Sequence, residues 1–302
     1  MKVLIIGFGS IAKKHLTAIK SIDSNSVVYA LRRNLSKAIS EENVINVDSY
    51  QNLDFDFILI SNPTFAHGDS IKSVLGLNKP LFIEKPLFDS LRYENLVEEV
   101  TKLKIPSYIA CNLRFLDSIK FVKDFITTKR INEINIYSGS YLPDWRPNVD
   151  FRKIYSANKE MGGGVHIDLI HEIDYLIYIL GFPKTVKKYF KSNSSLEISS
   201  IDYANYLLTY DNFSANVILN YYRKNAKRSL EIVCEDGECY VDLFKNTVFW
   251  NGEEIFNSDQ RLPDTYKAQM EYFVESVLSN KEINNLNNIN EAYNILRICL
   301  ED

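Results

Sequence analysis

The first third of the chain alternates short apolar runs with longer amphipathic stretches. The apolar runs are rich in β-branched residues and predict strands, whereas apolar positions at three- and four-residue spacing predict helices between them. The predicted strands are 2–6, 27–31, 57–61, 81–83 and 108–111, and the predicted helices are 11–20, 66–77 and 90–104. Strands that are apolar throughout and alternate with helices favour a doubly wound parallel sheet covered on both faces.

The pattern changes near residue 117. The pattern predicts a helix (117–127), a strand (133–141) and a second helix that runs from three glycines to Gly181. Six strand-like runs follow. Two helices (267–279 and 289–300), joined by an Asn-rich turn at 284–290, close the chain. The six runs are 185–191, 201–210, 214–222, 229–234, 239–242 and 247–250. Successive strands without helices between them predict a largely antiparallel sheet. We therefore predict an α/β protein with a Rossmann domain at 1–115 and an α+β domain at 116–302, built on a large, mostly antiparallel open sheet.

Composition and charge narrow the possible partners. The 302 residues include 35 basic and 39 acidic side chains, spread without the basic stripe that nucleic-acid binding needs. The N-terminal apolar run stops at Gly7, and the most apolar later stretch, 169–182, carries three ionisable side chains, so neither predicts a signal peptide or a membrane span. The four cysteines lack C-x-x-C spacing and predict reduced thiols. We expect a cytoplasmic protein that binds a small molecule, without nucleic acid, membrane or metal.

A glycine turn follows the first predicted strand. The segment Gly7-Phe8-Gly9-Ser10-Ile11-Ala12 opens a helix, which is the context in which G-x-G-x-x-G/A binds a dinucleotide. Glycine permits the tight turn and a close approach of backbone to the pyrophosphate, and the helix N-terminus favours the anionic phosphates. The alternative is a glycine turn of an ordinary α/β fold.

The end of the second strand bears on the choice of cofactor. Sites of this kind usually place a carboxylate there to hold the ribose hydroxyls of NAD, but 27–33 contains none. Arg32 and Arg33 stand there instead and favour the 2′-phosphate of NADP, although two arginines after a strand also suit a solvated loop. We expect NADP or NAD, with NADP favoured.

Lys85 lies between a predicted strand and Pro86, at the carboxyl edge where open parallel sheets bind ligands. A partly desolvated lysine at this edge can exchange a proton with a hydroxyl or carbonyl that undergoes hydride transfer. Taken alone, a lysine at a strand end is more often a surface charge.

A second polar group follows the three glycines at 162–164. Asp168 and His171 are three residues apart, so they share one face of a helix, as do His171 and Asp174. Such a pair suits a proton relay in which the histidine is the acid or base and the carboxylate orients it. A capped helix with solvent-facing polar residues is the alternative, and a metal site that includes His166 lacks further ligands.

The order of these motifs resembles the glucose-fructose oxidoreductase and inositol dehydrogenase family (Gfo/Idh/MocA). The motifs are Gly7-x-Gly9-x-x-Ala12, Ser61-Asn62-Pro63-x-x-x-His67, Glu84-Lys85-Pro86, Asn112-x-Arg114-Phe115 and the glycine-rich Asp-His helix, and they extend to about residue 182. The resemblance implies NAD(P)-linked oxidation or reduction of a sugar, a cyclitol or a sugar derivative. It also implies a homodimer or homotetramer formed through the C-terminal sheet.

The resemblance also assigns roles. Lys85, Asp168 and His171 become catalytic or substrate-binding, and Arg114 is expected at the substrate. The residues expected at the cofactor, besides the glycine turn and the two arginines, are Ser61, Asn62, Pro63, His67, Glu84, Lys85 and Asn112. One departure concerns His171, because the family's usual Asp-x-x-x-His spacing is Asp-x-x-His here.

The segment 141–157 resembles a branch found with bacterial surface-sugar and nonulosonic acid genes. Arg146 and Arg152 are expected to clamp a carboxylate or phosphate, with Trp145 stacked on a sugar and Tyr155 nearby. A packed loop is the alternative. The function predicted overall is hydride transfer on a sugar derivative, a nucleotide sugar or a sugar acid. The alternatives are redox-neutral elimination or glycoside cleavage with retained NAD, and a non-catalytic NAD(P)-sensing regulator.

Overall fold

The protein forms two compact units. The computed structural model describes residues 1–37, 43–279 and 285–300. The first unit comprises Met1–Asn112 and Pro263–Arg297, and the second comprises Leu113–Leu262 and the described residues from Ile298 onward. The first boundary lies close to the predicted residue 115, but the segment 263–297, expected in the second domain, belongs to the first unit.

The first unit contains a six-stranded parallel sheet in the order β3-β2-β1-β4-β5-β6. Its strands are β1 (Lys2–Ile6), β2 (Val27–Leu31), β3 (Val44–Val47), β4 (Phe57–Ile60), β5 (Leu81–Glu84) and β6 (Ser107–Ala110). The central strands are apolar and buried on both faces, as a parallel sheet between helices requires. The predicted parallel sheet is confirmed, and β3 is an additional edge strand that the sequence pattern missed because it is polar in part and only half buried.

The second unit contains an eight-stranded sheet in the order β14-β13-β12-β11-β7-β10-β9-β8. Its strands are β7 (Ile131–Tyr141), β8 (Thr185–Lys191), β9 (Tyr203–Thr209), β10 (Ser214–Asn220), β11 (Tyr222–Cys234), β12 (Gly237–Asp242), β13 (Thr247–Trp250) and β14 (Glu253–Asn257). Only the pair of β7 and β10 is parallel among these described strands. Along β7, Ile134 and Ile136 are buried while Asn135 and Tyr137 are partly exposed, so one face covers the core. The predicted α/β class with a mostly antiparallel second sheet is confirmed.

Eight α-helices are described. They are α1 (Ser10–Ile22), α2 (His67–Val74), α3 (Glu94–Lys102), α4 (Asp117–Phe125), α5 (Val165–Asp168), α6 (His171–Leu180), α7 (Thr265–Tyr272) and α8 (Ile289–Leu300). A π-helical segment, Phe273–Ser279, continues α7. No described helix is both long enough and apolar enough to span a membrane.

Aromatic packing explains why the end of the chain joins the first unit. The fully buried ring of Phe273 meets the rings of Phe57 and Phe82, at centroid distances of 4.9 and 5.2 Å. The carbonyl of Asn287 also accepts a hydrogen bond from the backbone of Ile109. The segment therefore covers the parallel sheet, a long-range contact that local sequence patterns do not reveal. The predicted turn at 284–290 is described only from residue 285.

Candidate active site

The first glycine of the turn has a backbone conformation that only glycine adopts without strain. Gly7 has φ +88°, and a Cβ there would lie 2.3 Å from the backbone of Asn62. The hydroxyl of Ser61 donates to the carbonyl oxygen of Gly7 at 2.8 Å. The turn after β1 is therefore locked against the chain that follows β4.

The second glycine leaves space at the start of α1. Gly9 is the N-cap of this helix, no side chain caps the first turn, and no acidic residue lies in it. No atom lies within 4 Å of the position that a Cβ on Gly9 would occupy, and Ala12 is fully buried against the sheet. Uncapped amide groups at a helix N-terminus form an anion site, so this turn fits a pyrophosphate.

A cleft of about 520 Å³ opens beside this turn, a size typical of small-molecule and cofactor sites. We call it the glycine cleft. Its lining includes the predicted residues Gly7, Phe8, Arg32, Arg33, Asn62 and Pro63, together with Ile6, Leu31, Asp48, Phe65 and Ser70, which the sequence analysis did not select. The buried Oδ1 atom of Asn62 has no hydrogen-bond partner among the described residues and offers an acceptor to a ligand.

The two arginines of the cleft differ in how firmly their side chains are held. The Arg32 side chain donates to Asn46 Oδ1 at 2.6 Å, and its guanidinium lies 4.7 Å from the centre of the Phe8 ring. Arg33 is exposed. Asp48, the acidic residue in the lining, follows β3; it escaped the sequence analysis because that strand was not predicted. The cleft thus contains a fixed cation, an exposed cation and one carboxylate.

Three of the residues expected at the cofactor are buried away from the glycine cleft. His67, Glu84 and Asn112 are 1, 8 and 8% exposed, and each is engaged within the first unit. The Asn112 amide donates to Thr265 Oγ1 at 2.6 Å. Their polar side chains have hydrogen-bond partners within the first unit.

His67 connects two loops. Its Nε2 atom lies 2.9 Å from the carbonyl oxygen of Asn62, and its Nδ1 atom lies 3.1 Å from the carbonyl oxygens of Pro86 and Leu87. Burial lowers the pKa of the imidazole. The ring therefore ties the Asn62 side of the glycine cleft to the segment that follows β5.

Lys85 lies directly after β5, at the carboxyl edge, as predicted, and is partly exposed. The Lys85-Pro86 peptide bond is cis. The backbone N–H of Lys85 donates to Glu84 Oε2 at 3.2 Å, and Nε2 of His15 donates to Glu84 Oε1. His15, which the sequence analysis passed over, occupies the buried face of α1.

The three glycines of the second unit allow a close chain approach, as predicted. A Cβ on Gly163 would lie 2.0 Å from the carbonyl oxygen of Tyr155, and Gly164 has φ +147°. The helix expected after them is broken, however. α5 ends at Asp168, and α6 begins at His171. Because Leu169 departs from helical geometry between them, the two side chains do not share a continuous helical face.

The Asp168 carboxylate is held by a tyrosine. The hydroxyl of Tyr221 donates to Asp168 Oδ2 at 2.5 Å, and Tyr221 is fully buried. Burial, followed by the charge of Asp168, raises the pKa of this phenol well above its usual value. Asp168 and His171 are both partly exposed, so both are accessible to a ligand.

Arg114 is buried in an ion pair within the second unit. Its Nε and Nη2 atoms donate to the two carboxylate oxygens of Asp174, at 2.9 and 2.8 Å, and both side chains are 1% exposed. A bidentate pair of this kind satisfies two charges that burial would otherwise penalise. In this structure Arg114 joins α6 to the chain that precedes α4.

The loop after β7 presents several expected substrate residues to solvent. Trp145, 38% exposed, contacts the Tyr221 ring edge-on at 5.3 Å. Arg146 and Arg152 are exposed, and the hydroxyl of Tyr155 donates to the carbonyl oxygen of Gly162 at 2.8 Å. Trp145 thus approaches the tyrosine that holds Asp168, whereas Tyr155 supports the glycine segment.

His166 is a buried packing residue. Burial lowers its pKa to about 4, with a smaller contribution from Lys188, and its ring lies 5.2 Å from that of Phe190. Within the described ranges, no three His, Cys, Asp or Glu side chains are close enough to hold a metal ion.

Comparisons with known proteins agree with this architecture. The model of an oxidoreductase family with an NAD-binding Rossmann fold matches residues 1–105, and that of the GFO/IDH/MocA C-terminal domain matches residues 119–240. An uncharacterized oxidoreductase, YrbE, of Bacillus subtilis (strain 168) is 25% identical, over 92% of this chain and 86% of that protein.

Two solved structures show the same fold. The UDP-N-acetylglucosamine 3-dehydrogenase GnnA of Acidithiobacillus ferrooxidans has a TM-score of 0.80 at 17% identity, covering 100% of this chain and 96% of that one. The scyllo-inositol dehydrogenase of Lactobacillus casei, with bound NAD(H) and scyllo-inositol, has a TM-score of 0.79 at 22% identity, covering 99% and 95%.

Proposed function

Since this chain belongs to the Gfo/Idh/MocA oxidoreductase family, we propose that it transfers a hydride between nicotinamide C4 and a carbinol or ketone carbon of a sugar derivative. The observation that carries the proposal is the glycine cleft at the N-terminus of α1, with Lys85 at the carboxyl edge of the same sheet. The nicotinamide supplies or accepts the hydride; the protein must supply the proton transfer and hold the substrate.

Lys85 is the proposed proton donor or acceptor for the reacting oxygen. It has an ammonium group, partial burial and a backbone fixed by Glu84, which are the features that a positioned acid or base needs. Asp168 and His171 are proposed to bind substrate hydroxyls, with His171 assisting the proton transfer. The short bond from Tyr221 supports this role by orienting the Asp168 carboxylate.

The cofactor is proposed to be NADP in preference to NAD. Arg32 is held rigidly on the Phe8 ring, and exposed Arg33 adjoins it. A guanidinium fork binds a 2′-phosphate well. The ratio of kcat/KM for NADPH to that for NADH tests this proposal; the ratio should exceed one in the wild type and fall in Arg33→Ala, whereas a preference for NADH in the wild type would contradict it.

The substrate is proposed to be an anionic sugar derivative, such as a nucleotide sugar or sugar acid of surface-glycan synthesis. Arg146 and Arg152 provide exposed cations close in sequence to Trp145, and an indole face suits a sugar ring. The two proteins of similar fold are named as dehydrogenases of an inositol and of a UDP-sugar. Removing both cations should raise KM for an anionic sugar more than KM for a neutral polyol.

The outer face of the second sheet is proposed to form a homodimer or homotetramer contact. Tyr189, Asn205, Ile218 and Tyr137 form one row across four adjacent strands, and Tyr189 is 55% exposed. Exposed aromatic and aliphatic side chains on an open sheet face are a feature of association surfaces. Light scattering should give the molar mass of a dimer or a larger oligomer for the wild type, and a lower molar mass for Tyr189→Glu.

The deciding experiment follows nicotinamide absorbance during turnover of nucleotide sugars, sugar acids and cyclitols. Wild-type protein should oxidise or reduce at least one of them, and Lys85→Ala should lower kcat strongly while leaving NADPH affinity nearly unchanged. Full activity of Lys85→Ala would remove the lysine from the mechanism. Turnover without net nicotinamide absorbance change, and with nucleotide retained in the protein, would replace hydride exchange by redox-neutral chemistry.

A further inference from the structure

His15 is buried on α1 and does not line the glycine cleft. Its solvent exposure is 0%, and it lies two turns along the helix whose N-terminus opens at Gly9. Its Nε2 atom reaches across to Glu84 Oε1, while the other oxygen of that carboxylate accepts the backbone N–H of Lys85. A continuous polar connection therefore runs from α1 through Glu84 to the backbone of Lys85.

Two aromatic rings pack against His15. The ring meets Phe82 edge-on at 4.9 Å and Tyr266 at 5.5 Å. Its Nδ1 atom has no hydrogen-bond partner among the described residues. An unsatisfied buried nitrogen costs stability, and an apolar pair in place of His15 and Glu84 would avoid that cost. Packing alone does not explain why this pair stands here.

The segment Glu84–Leu87, which we call the Lys85 loop, is held from two sides. His15 binds its first residue through the carboxylate, and His67 approaches the carbonyl oxygens of Pro86 and Leu87. The only partly exposed side chain in the loop is that of Lys85. Both neighbours of Lys85 are therefore fixed, and with them the backbone from which its side chain extends.

We propose that His15 is a positioning residue that acts through Glu84 to orient Lys85. The inference rests on the role that the proposed function gives to Lys85, and it extends that role to a residue that has no access to a ligand. The bond to Glu84 also joins the Lys85 loop to α1, the helix that follows the glycine turn and has no side-chain cap. A displaced loop would misplace the ammonium group without emptying the cofactor site.

The test measures Lys85 directly in the protein without ligand. An amine-acylating reagent is applied at one fixed pH, and the rate at which Lys85 is modified is read by peptide mass spectrometry. Four proteins are compared: wild type, His15→Ala, His15→Gln and Leu16→Ala. Glutamine places an amide N–H near the position of Nε2 and cannot titrate, whereas Leu16→Ala removes packing from the neighbouring position of the same helix.

The expected result is a change in the Lys85 labelling rate of at least about threefold in His15→Ala, with a rate near wild type in both other variants. In turnover assays His15→Ala should lower kcat about 10- to 100-fold, as loss of positioning does, with the KM for NADPH within about threefold of wild type. His15→Gln should recover most of kcat.

Two outcomes would overturn the positioning role. One is a wild-type labelling rate in His15→Ala; the other is an equal change in His15→Ala and in either His15→Gln or Leu16→Ala, which would make packing or the imidazole itself responsible. Labelling does not depend on catalysis, so the expected labelling pattern in a protein that turns over no sugar would refute the proposed function while leaving His15 as the residue that orients Lys85.

Discussion

Gly9→Ala should separate nucleotide binding from folding. The φ of Gly9 is −100°, an ordinary value, and nothing lies within 4 Å of the new Cβ, so the substitution meets no strain. Alanine is a poorer N-cap than glycine, which costs about 0.5–1 kcal/mol of stability. Gly7 would not give this separation, because its φ of +88° and the 2.3 Å approach to Asn62 would disturb the fold itself.

The loss should appear in affinity. The methyl group would occupy the space through which a pyrophosphate approaches the amides of α1, and losing one hydrogen bond to a charged group costs about 1.5–3 kcal/mol. The dissociation constant for NADPH should therefore rise about 10- to 100-fold. Calorimetric titration measures the affinity, and urea unfolding measures the stability.

Gly76→Ala provides the matched control. Gly76 belongs to the same unit, also has no atom within 4 Å of an added Cβ, and lies in the segment Leu75–Leu77 rather than in the glycine turn. It should bind NADPH as the wild type does. An NADPH affinity of Gly9→Ala within about threefold of wild type would refute the assignment of the turn to the pyrophosphate.

Three further predictions concern the second unit. Burial lowers the pKa of His166 to about 4, so the unfolded chain takes up a proton near pH 6.5 before the folded protein does. The free energy of unfolding should therefore fall by about 2 kcal/mol when the pH is lowered from about 7.5 to about 5. Urea unfolding at both pH values should show a smaller loss of stability in His166→Gln than in the wild type. Equal losses in the two proteins would contradict the burial effect. Asp174→Ala removes the carboxylate that pairs with the buried guanidinium of Arg114, which should cost about 3–5 kcal/mol in urea unfolding, and replacing both residues by Leu and Met should recover most of it. Tyr221→Phe removes the donor to Asp168 and should lower kcat/KM about tenfold with NADPH affinity unchanged; unchanged kcat/KM would argue against Asp168 as a substrate ligand.

The parts predictable from sequence are those in which local pattern and tertiary environment agree. The strands of the parallel sheet are short, apolar and buried on both faces, and the glycine turn follows directly from the first of them. The edge strand β3 is four residues long, contains Asn46 and has no fully buried residue, and the edge strand β14 carries exposed glutamates, so no buried apolar run marked either strand. Leu169 and Ile170 are apolar and follow a helical spacing, so the sequence pattern did not predict that the helix is interrupted before His171.

The site residues divide in the same way. Residues whose role depends on backbone, such as Gly7, or on the end of a strand, such as Arg32, were predicted and line the cleft. The buried partner of Arg114 lies 60 residues away, so local sequence does not reveal their ion pair. His15 was passed over because it lies on the buried face of α1, where the spacing favours an apolar side chain, and only its contact with Glu84 distinguishes it.

The contribution of Phe273 to the first unit has a consequence for how the protein is made. A ribosome that has synthesised the first 115 residues has produced all six parallel strands, but the ring that packs on Phe57 and Phe82 lies more than 150 residues further on. The nucleotide-binding unit therefore waits, with part of its sheet uncovered, until the second unit has emerged. A fragment cut at the first boundary would keep that uncovered sheet permanently, so NADPH binding should be sought in the whole chain.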